Sequence, residues 1–120
     1  MGTFPEVTHA LYPNFLLTIG DVPHAHNLYL QIAVDLGLPG LAAWLIMAFV
    51  VTRCSWQVYR SDLRLAGRMA GLGAGLIASQ MALFIHGLVD AATWGTRPSV
   101  VVWGLWGLAL AGWVVVNRNP

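Results

Sequence analysis

The sequence predicts an all-α integral membrane protein: three transmembrane helices preceded by an outward-facing segment with short helices. Three observations carry this expectation. Apolar residues fill 58% of the 120 positions and charged residues only 9%, whereas a soluble domain carries about a quarter of its residues as charges. Three apolar stretches, from about Val34 to Thr52, Ala66 to Val89 and Val100 to Val116, are each long enough to cross a hydrocarbon core of about 30 Å. The basic residues also segregate. Arg53, Arg60, Arg64 and Arg68 lie in or beside the connection between the first two spans and Arg118 follows the third, while the opposite side receives only Arg97.

That imbalance places the arginine-rich connection in the cytoplasm. His9, His24, His26 and the loop of residues 90–98 then face outward. The net charge of +1 contains no charge run that suggests a nucleic-acid partner, and Cys54 is alone, so no intrachain disulfide forms. Met1 is not followed by the basic and apolar regions of a signal peptide. An outward N-terminus with no signal to carry it there predicts further spans upstream. The chain thus reads as the C-terminal portion of a larger polytopic protein, with residues 1–27 as a periplasmic segment and 28–120 as the membrane domain.

In chain order, Thr3 is expected to cap a short helix with Pro5 and Glu6 in its first turn, ending near Tyr12-Pro13. An irregular stretch follows to His24. Asn27 is a good N-cap, and Leu28–Leu36 reads as a short helix stopped by Gly37 and Pro39. Asn27, Gln31 and Asp35 recur every fourth residue and form one polar stripe. From Gly40 to Thr52 a helix measures only about 20 Å, so residues before the break are expected to dip into the outer leaflet. Asp35 then faces a protein-lined or wet cavity, and the stripe turns His26 and Asp35 toward the same space. On the second span Gly67, Gly71, Gly75 and Ser79 form small-xxx-small steps, as do Gly107 and Ala111 on the third. Such steps predict close helix packing. Trp94, Trp103 and Trp113 near the span ends read as interfacial anchors.

His26-Asn27, nine residues, then Gly37-Leu38-Pro39-Gly40 resembles the signature of the O-antigen ligase and polymerase family. The flanking His24-Ala-His-Asn-Leu-Tyr-Leu-Gln and Asp35-Leu-Gly-Leu-Pro-Gly-Leu41 are similar to that family's usual wording, and Gly2-Thr3-Phe4-Pro5 resembles the end of a glycine-rich stretch that precedes it. The resemblance corresponds to the C-terminal part of a family protein. It implies a bacterial inner-membrane protein with the motif histidine on the periplasmic face, where it is essential for glycan transfer. The implied donor is a glycan on undecaprenyl diphosphate. The implied acceptor is a sugar hydroxyl, on lipid A core for ligases or on another repeat unit for polymerases. The implied reaction inverts the anomeric centre and needs neither metal nor other cofactor.

By position the catalytic role falls on His26, with His24 and Asn27 beside it as substrate-binding residues. A sugar hydroxyl is a poor nucleophile near neutral pH, and a free imidazole, titrating near ~6.5, is suited to take its proton. The leaving diphosphate needs cationic hydrogen-bond donors, for which arginine is fitted. Arg97 is the outward arginine available here and is assigned that contact, although family members draw key arginines from loops upstream. Asp35 has two readings, a substrate contact or a bond to Gln31 or a neighbouring helix. His86 and Asp90 form an i, i+4 pair that either lines the same cavity or is a satisfied interfacial pair. His9, His24 and His26 lack carboxylate or thiolate companions at ligand spacing, so no metal site is assigned. Two alternatives to ligase activity stand: repeat-unit polymerisation, and a non-catalytic three-helix module packing against other membrane helices.

Overall fold

The computed structural model describes residues 4–11, 25–61, 68–91, 93–94 and 97–118. Among these there is no strand, and four helices account for the architecture: α1 (Phe4–Leu11), α2 (Leu28–Arg60), α3 (Arg68–His86) and α4 (Ser99–Arg118). The last three are long and apolar enough to span a membrane. Helix α1 rests against α2, with Glu6 in its first turn and His9 in its last, the charge order that a helix dipole favours. The expected cap Thr3 and the end at Tyr12-Pro13 lie outside the described residues.

The expected short helix and the first span are one element, α2, broken at Gly37, which adopts φ 71° and ψ 178°. Essentially only glycine takes that conformation without a cost of about 1–3 kcal/mol. Pro39 falls in the first turn beyond the break, where no amide donor is required. The kink also folds Leu36 back so that a side chain at position 40 would overlap its Cβ, which explains Gly40.

Helix α2 runs past Thr52 to Arg60. The segment from Gly40 to Arg60 is therefore about 31 Å long at 1.5 Å per residue and crosses a bilayer by itself, so Asp35 is not required to dip into the leaflet as the shorter span implied. Apolar spacing continues through the added turns, and the Arg53 guanidinium reaches back over the Phe49 ring, 6.0 Å from its centroid. A long cationic side chain near a helix end can cover apolar surface in this way.

Packing follows a seam with alternating steps of three and four. On α2 beyond the break the buried positions are Trp44, Ala48, Val51, Ser55 and Val58, with Cys54 beside them. On α3 Gly73, Leu76, Gln80 and, in the turn beyond, Gly87 are buried, with Leu83 partly so; on α4 Val102, Trp106, Ala109 and Gly112 are buried. This 3.5-residue repeat keeps one face turned toward a left-handed neighbour. Helix α2 is central, with α3 antiparallel to it and α4 parallel, and α3 and α4 meet each other far less. Large apolar side chains such as Ile46, Val50, Val100 and Val101 are exposed, as lipid-facing residues are.

The close approach expected at Gly71 and Gly75 occurs instead at Gly73. A Cβ at Gly73 would overlap the Tyr59 backbone, whereas Gly71 and Gly75 have open space; Gly67 lies outside the described residues. On α4 the contact is likewise at Gly112, where an added Cβ would lie 3.2 Å from Val58 Cγ2, and not at Gly107. Steps of exactly four residues lie on the face adjoining the 3.5-residue seam, which accounts for both displacements.

A polar cluster crosses the α2–α3 seam. The Gln80 amide donates to Ser55 Oγ at 2.8 Å and to the Leu76 carbonyl at 3.1 Å, and its Oε1 accepts from Thr52 Oγ1 at 3.0 Å. Gln80 and Ser55 are fully buried, where an unpaired polar group would be costly. At the far end Trp113 Nε1 donates to Gln57 Oε1 at 2.6 Å and joins α4 to α2.

Gly73→Ala is expected to destabilise the bundle by about 1–3 kcal/mol, the usual cost of overpacking. Gly75→Ala should stay within about 0.5 kcal/mol of the parent. Unfolding followed by circular dichroism during an SDS titration would rank the two, and equal effects would contradict the seam.

Candidate functional site

Asn27 and Asp35 meet partners from the end of α3 and from the connection to α4, and His26 stands beside them in the chain. Asn27, with an extended backbone, caps α2: its Oδ1 accepts from the Leu30 amide at 3.0 Å. Its Nδ2 donates to the Leu88 carbonyl at 3.0 Å. One side chain thus closes the N-terminus of one helix and holds the turn that ends another. The Leu28 amide donates to the Gly87 carbonyl at 2.7 Å, and the Tyr29 hydroxyl to the Phe84 carbonyl at 2.9 Å. The cap and the first two residues of α2 are thereby joined to the last turn of α3 and the two residues that follow it. A Cβ at Gly87 would lie 2.9 Å from Leu28 Cδ2, so this close approach requires a glycine.

His26 stands immediately before the cap. Its side chain is exposed and its φ is 45°, the only positive value at a non-glycine among the described residues. Left-handed backbone is uncommon outside glycine and persists where the surroundings hold it. Here the Asn27 cap follows, and the Ala25 amide before it is also fixed, donating to Gln31 Oε1 at 2.9 Å. His24 lies outside the described residues.

Asp35 is tied on both oxygens. Oδ1 accepts from Gln31 Nε2 at 3.1 Å and Oδ2 from Trp94 Nε1 at 3.0 Å. Asn27 and Asp35, expected to contact substrate, therefore make defined bonds within the protein. Gln31, read only as part of the polar stripe, is 5% exposed and uses both ends of its amide. Trp94 was read as an interfacial anchor and proves to be a donor across 59 residues of sequence. No local spacing rule indicates such a pair, although a tryptophan beside a partly buried carboxylate finds an acceptor readily.

Arg97 is exposed in the turn that starts α4, its carbonyl accepting from the Val100 amide at 3.3 Å. It is three residues from Trp94 in the connection that Asp35 holds. His86 Nε2 and Asp90 Oδ2 are 3.7 Å apart, longer than a hydrogen bond, and Asp90 Oδ1 is buried without a partner among the described residues. Among those residues no three His, Cys, Asp or Glu side chains group as metal ligands.

Aromatic rings lie beneath this end. Trp44 meets Tyr29 edge-on at 5.9 Å, Phe84 edge-on at 6.0 Å and Trp106 at 5.8 Å, bringing α2, α3 and α4 together in geometries that add about 0.5–1.5 kcal/mol per pair. Beside them an apolar groove of about 290 Å³ runs between α2 and α3, walled by Tyr29, Trp44, Ala48, Phe49, Met81 and Phe84. No protein-family model, curated protein or solved structure matches this chain.

Asn27→Ala removes both the cap and the tie to Leu88. It should cost about 1–2 kcal/mol, whereas Asn27→Asp keeps the cap and should cost roughly half as much. Hydrogen exchange at the Leu30 amide distinguishes them: faster in the alanine variant, near the parent value in the aspartate variant.

Proposed function

We propose that the chain is the glycan-transfer portion of an O-antigen ligase-like membrane protein, with His26 as the base that accepts the proton of the attacking sugar hydroxyl. The observation that carries this reading is the geometry of His26: an exposed imidazole on a left-handed backbone, immediately before a helix cap that is itself bonded to α3. Strained backbone held in place by its surroundings is characteristic of functional positions. The arginine distribution supports a periplasmic location for this end and an inner-membrane location for the protein.

In the proposed reaction the acceptor hydroxyl attacks the anomeric carbon as its proton passes to the His26 imidazole. The bond from that carbon to the phosphate oxygen breaks, and the bonding electrons leave with the diphosphate. Attack opposite the leaving group inverts the centre. A positioned base contributes typically about 10²–10⁴-fold. Arg97, exposed at the same end, is suited to meet the departing diphosphate through paired N–H donors. The apolar groove between α2 and α3 offers walls compatible with the prenyl chain of an undecaprenyl carrier. His24 adjoins the base in sequence and is assigned to the acceptor. Asn27 and Asp35 serve the site through the bonds that shape it. Polymerisation of repeat units uses the same chemistry, so the acceptor, lipid A core or a second glycan, distinguishes the two branches.

His26→Ala in the complete gene product should reduce transfer about 10²–10⁴-fold at unchanged membrane abundance. Transfer at the parent rate would exclude His26 as the base. Arg97→Ala should weaken donor use, read as a change in the dependence of rate on donor concentration, and an unaltered dependence would remove Arg97 from the site.

A further inference from the structure

Four groups form a continuous hydrogen-bonded chain at the His26 end. Trp94 Nε1 donates to Asp35 Oδ2, Gln31 Nε2 donates to Asp35 Oδ1, and the Ala25 amide donates to Gln31 Oε1, over 3.0, 3.1 and 2.9 Å. It begins in the connection between α3 and α4 and ends on the backbone of the residue before His26. Each link has a fixed polarity. Asp35 receives two donors on separate oxygens, while the Gln31 amide gives at one end and receives at the other. Burial of Gln31, 5% exposed, makes reversal costly: turning its amide would place an NH₂ group against the Ala25 donor and an oxygen against the Asp35 carboxylate.

We propose that Asp35 and Gln31 are positioning residues that couple the Trp94 loop to the backbone of His26, so that the loop and the imidazole are set together. The helix cap alone does not do this. Asn27 fixes the chain after His26 and ties it to α3, whereas the Trp94 chain fixes the residue before it and draws on the loop that also carries Arg97. A left-handed residue is thus clamped on both sides, by two different parts of the fold. For glycan transfer the coupling means that a ligand displacing Trp94 also changes the presentation of His26. That consequence rests on the assignment of His26 as base, but the coupling itself does not.

The test uses the ¹⁵N- and ¹³C-labelled chain in lipid nanodiscs, reading hydrogen exchange at the Ala25 amide and the ring signals of His26. Trp94→Phe keeps an aromatic ring but removes the first donor. It should accelerate exchange at Ala25 by about five- to tenfold, the scale of one lost hydrogen bond, and shift the His26 ring signals. Asp35→Ala should do the same, and the double variant should exceed neither by more than about twofold, because residues of one network do not act additively. If Trp94→Phe perturbs only its own neighbours and leaves Ala25 and His26 at parent values, the coupling is wrong; full additivity of the two substitutions also overturns it. Should Asp35→Ala fail to insert, Trp94→Phe alone decides. A normal transfer rate in His26→Ala with coupling intact would defeat the base assignment and leave the positioning chain standing.

Discussion

A backbone hydrogen bond from Leu28 to the Gly87 carbonyl sets where α2 starts relative to where α3 ends, and the rest of the His26 end is built around it. The first amides of a helix and its last carbonyls have no partners within the helix. In water, solvent satisfies them; near lipid they must find one another or a side chain. Here the two ends answer each other's need. Gly87 lets the chains approach, Asn27 takes the Leu88 carbonyl while capping its own helix, and Tyr29 reaches the Phe84 carbonyl. His26 is placed by that arrangement, since it has the one position between the fixed Ala25 amide and the cap.

Deeper in the bundle the problem is different, because packing apolar helices against one another in lipid gains little from the exclusion of water. The Thr52–Gln80–Ser55 cluster supplies direction there: the Ser55 hydroxyl accepts from Gln80 and donates to the Val51 carbonyl, and the single Thr52 hydroxyl proton is shared between Gln80 Oε1 and the Ala48 carbonyl. Bonds of this kind average only about 0.6 kcal/mol within a membrane. Their main effect is on register, since a shift of α3 by one residue would strand a buried amide. The aromatic group around Trp44 then fills the space where the three helices converge, above the polar cluster and below the site.

The three spanning helices, the break at Gly37 and the Asn27 cap were legible in the sequence because each is a local signal: an apolar run, a glycine–proline pair, an acceptor before a helix. The Gln31–Asp35 bond was legible too, as an i, i+4 pair. The continuation of α2 to Arg60 was obscured by Arg53 and Gln57, which read as the water phase, although Trp56, Val58 and Tyr59 carry the apolar pattern onward. The glycine steps on α3 gave the right kind of contact on the wrong face. Only the positions of buried neighbours separate a four-residue stripe from a 3.5-residue seam, and buried Gln80 was the clue, since a polar residue in mid-span turns toward protein. The Trp94–Asp35 bond links a loop to a helix far away in sequence, which no periodicity encodes.

The bend at Gly37 separates two mechanical duties within one helix. The portion from Gly40 to Arg60 must match the thickness of its bilayer, and membranes differ by several ångströms, a mismatch that helices absorb by tilting. The portion above takes its orientation from α3 and the Trp94 loop instead. Because the chain changes direction at Gly37, the contacts of the upper portion with the end of α3 and with Trp94, and not the axis of the lower arm, fix where the helix begins.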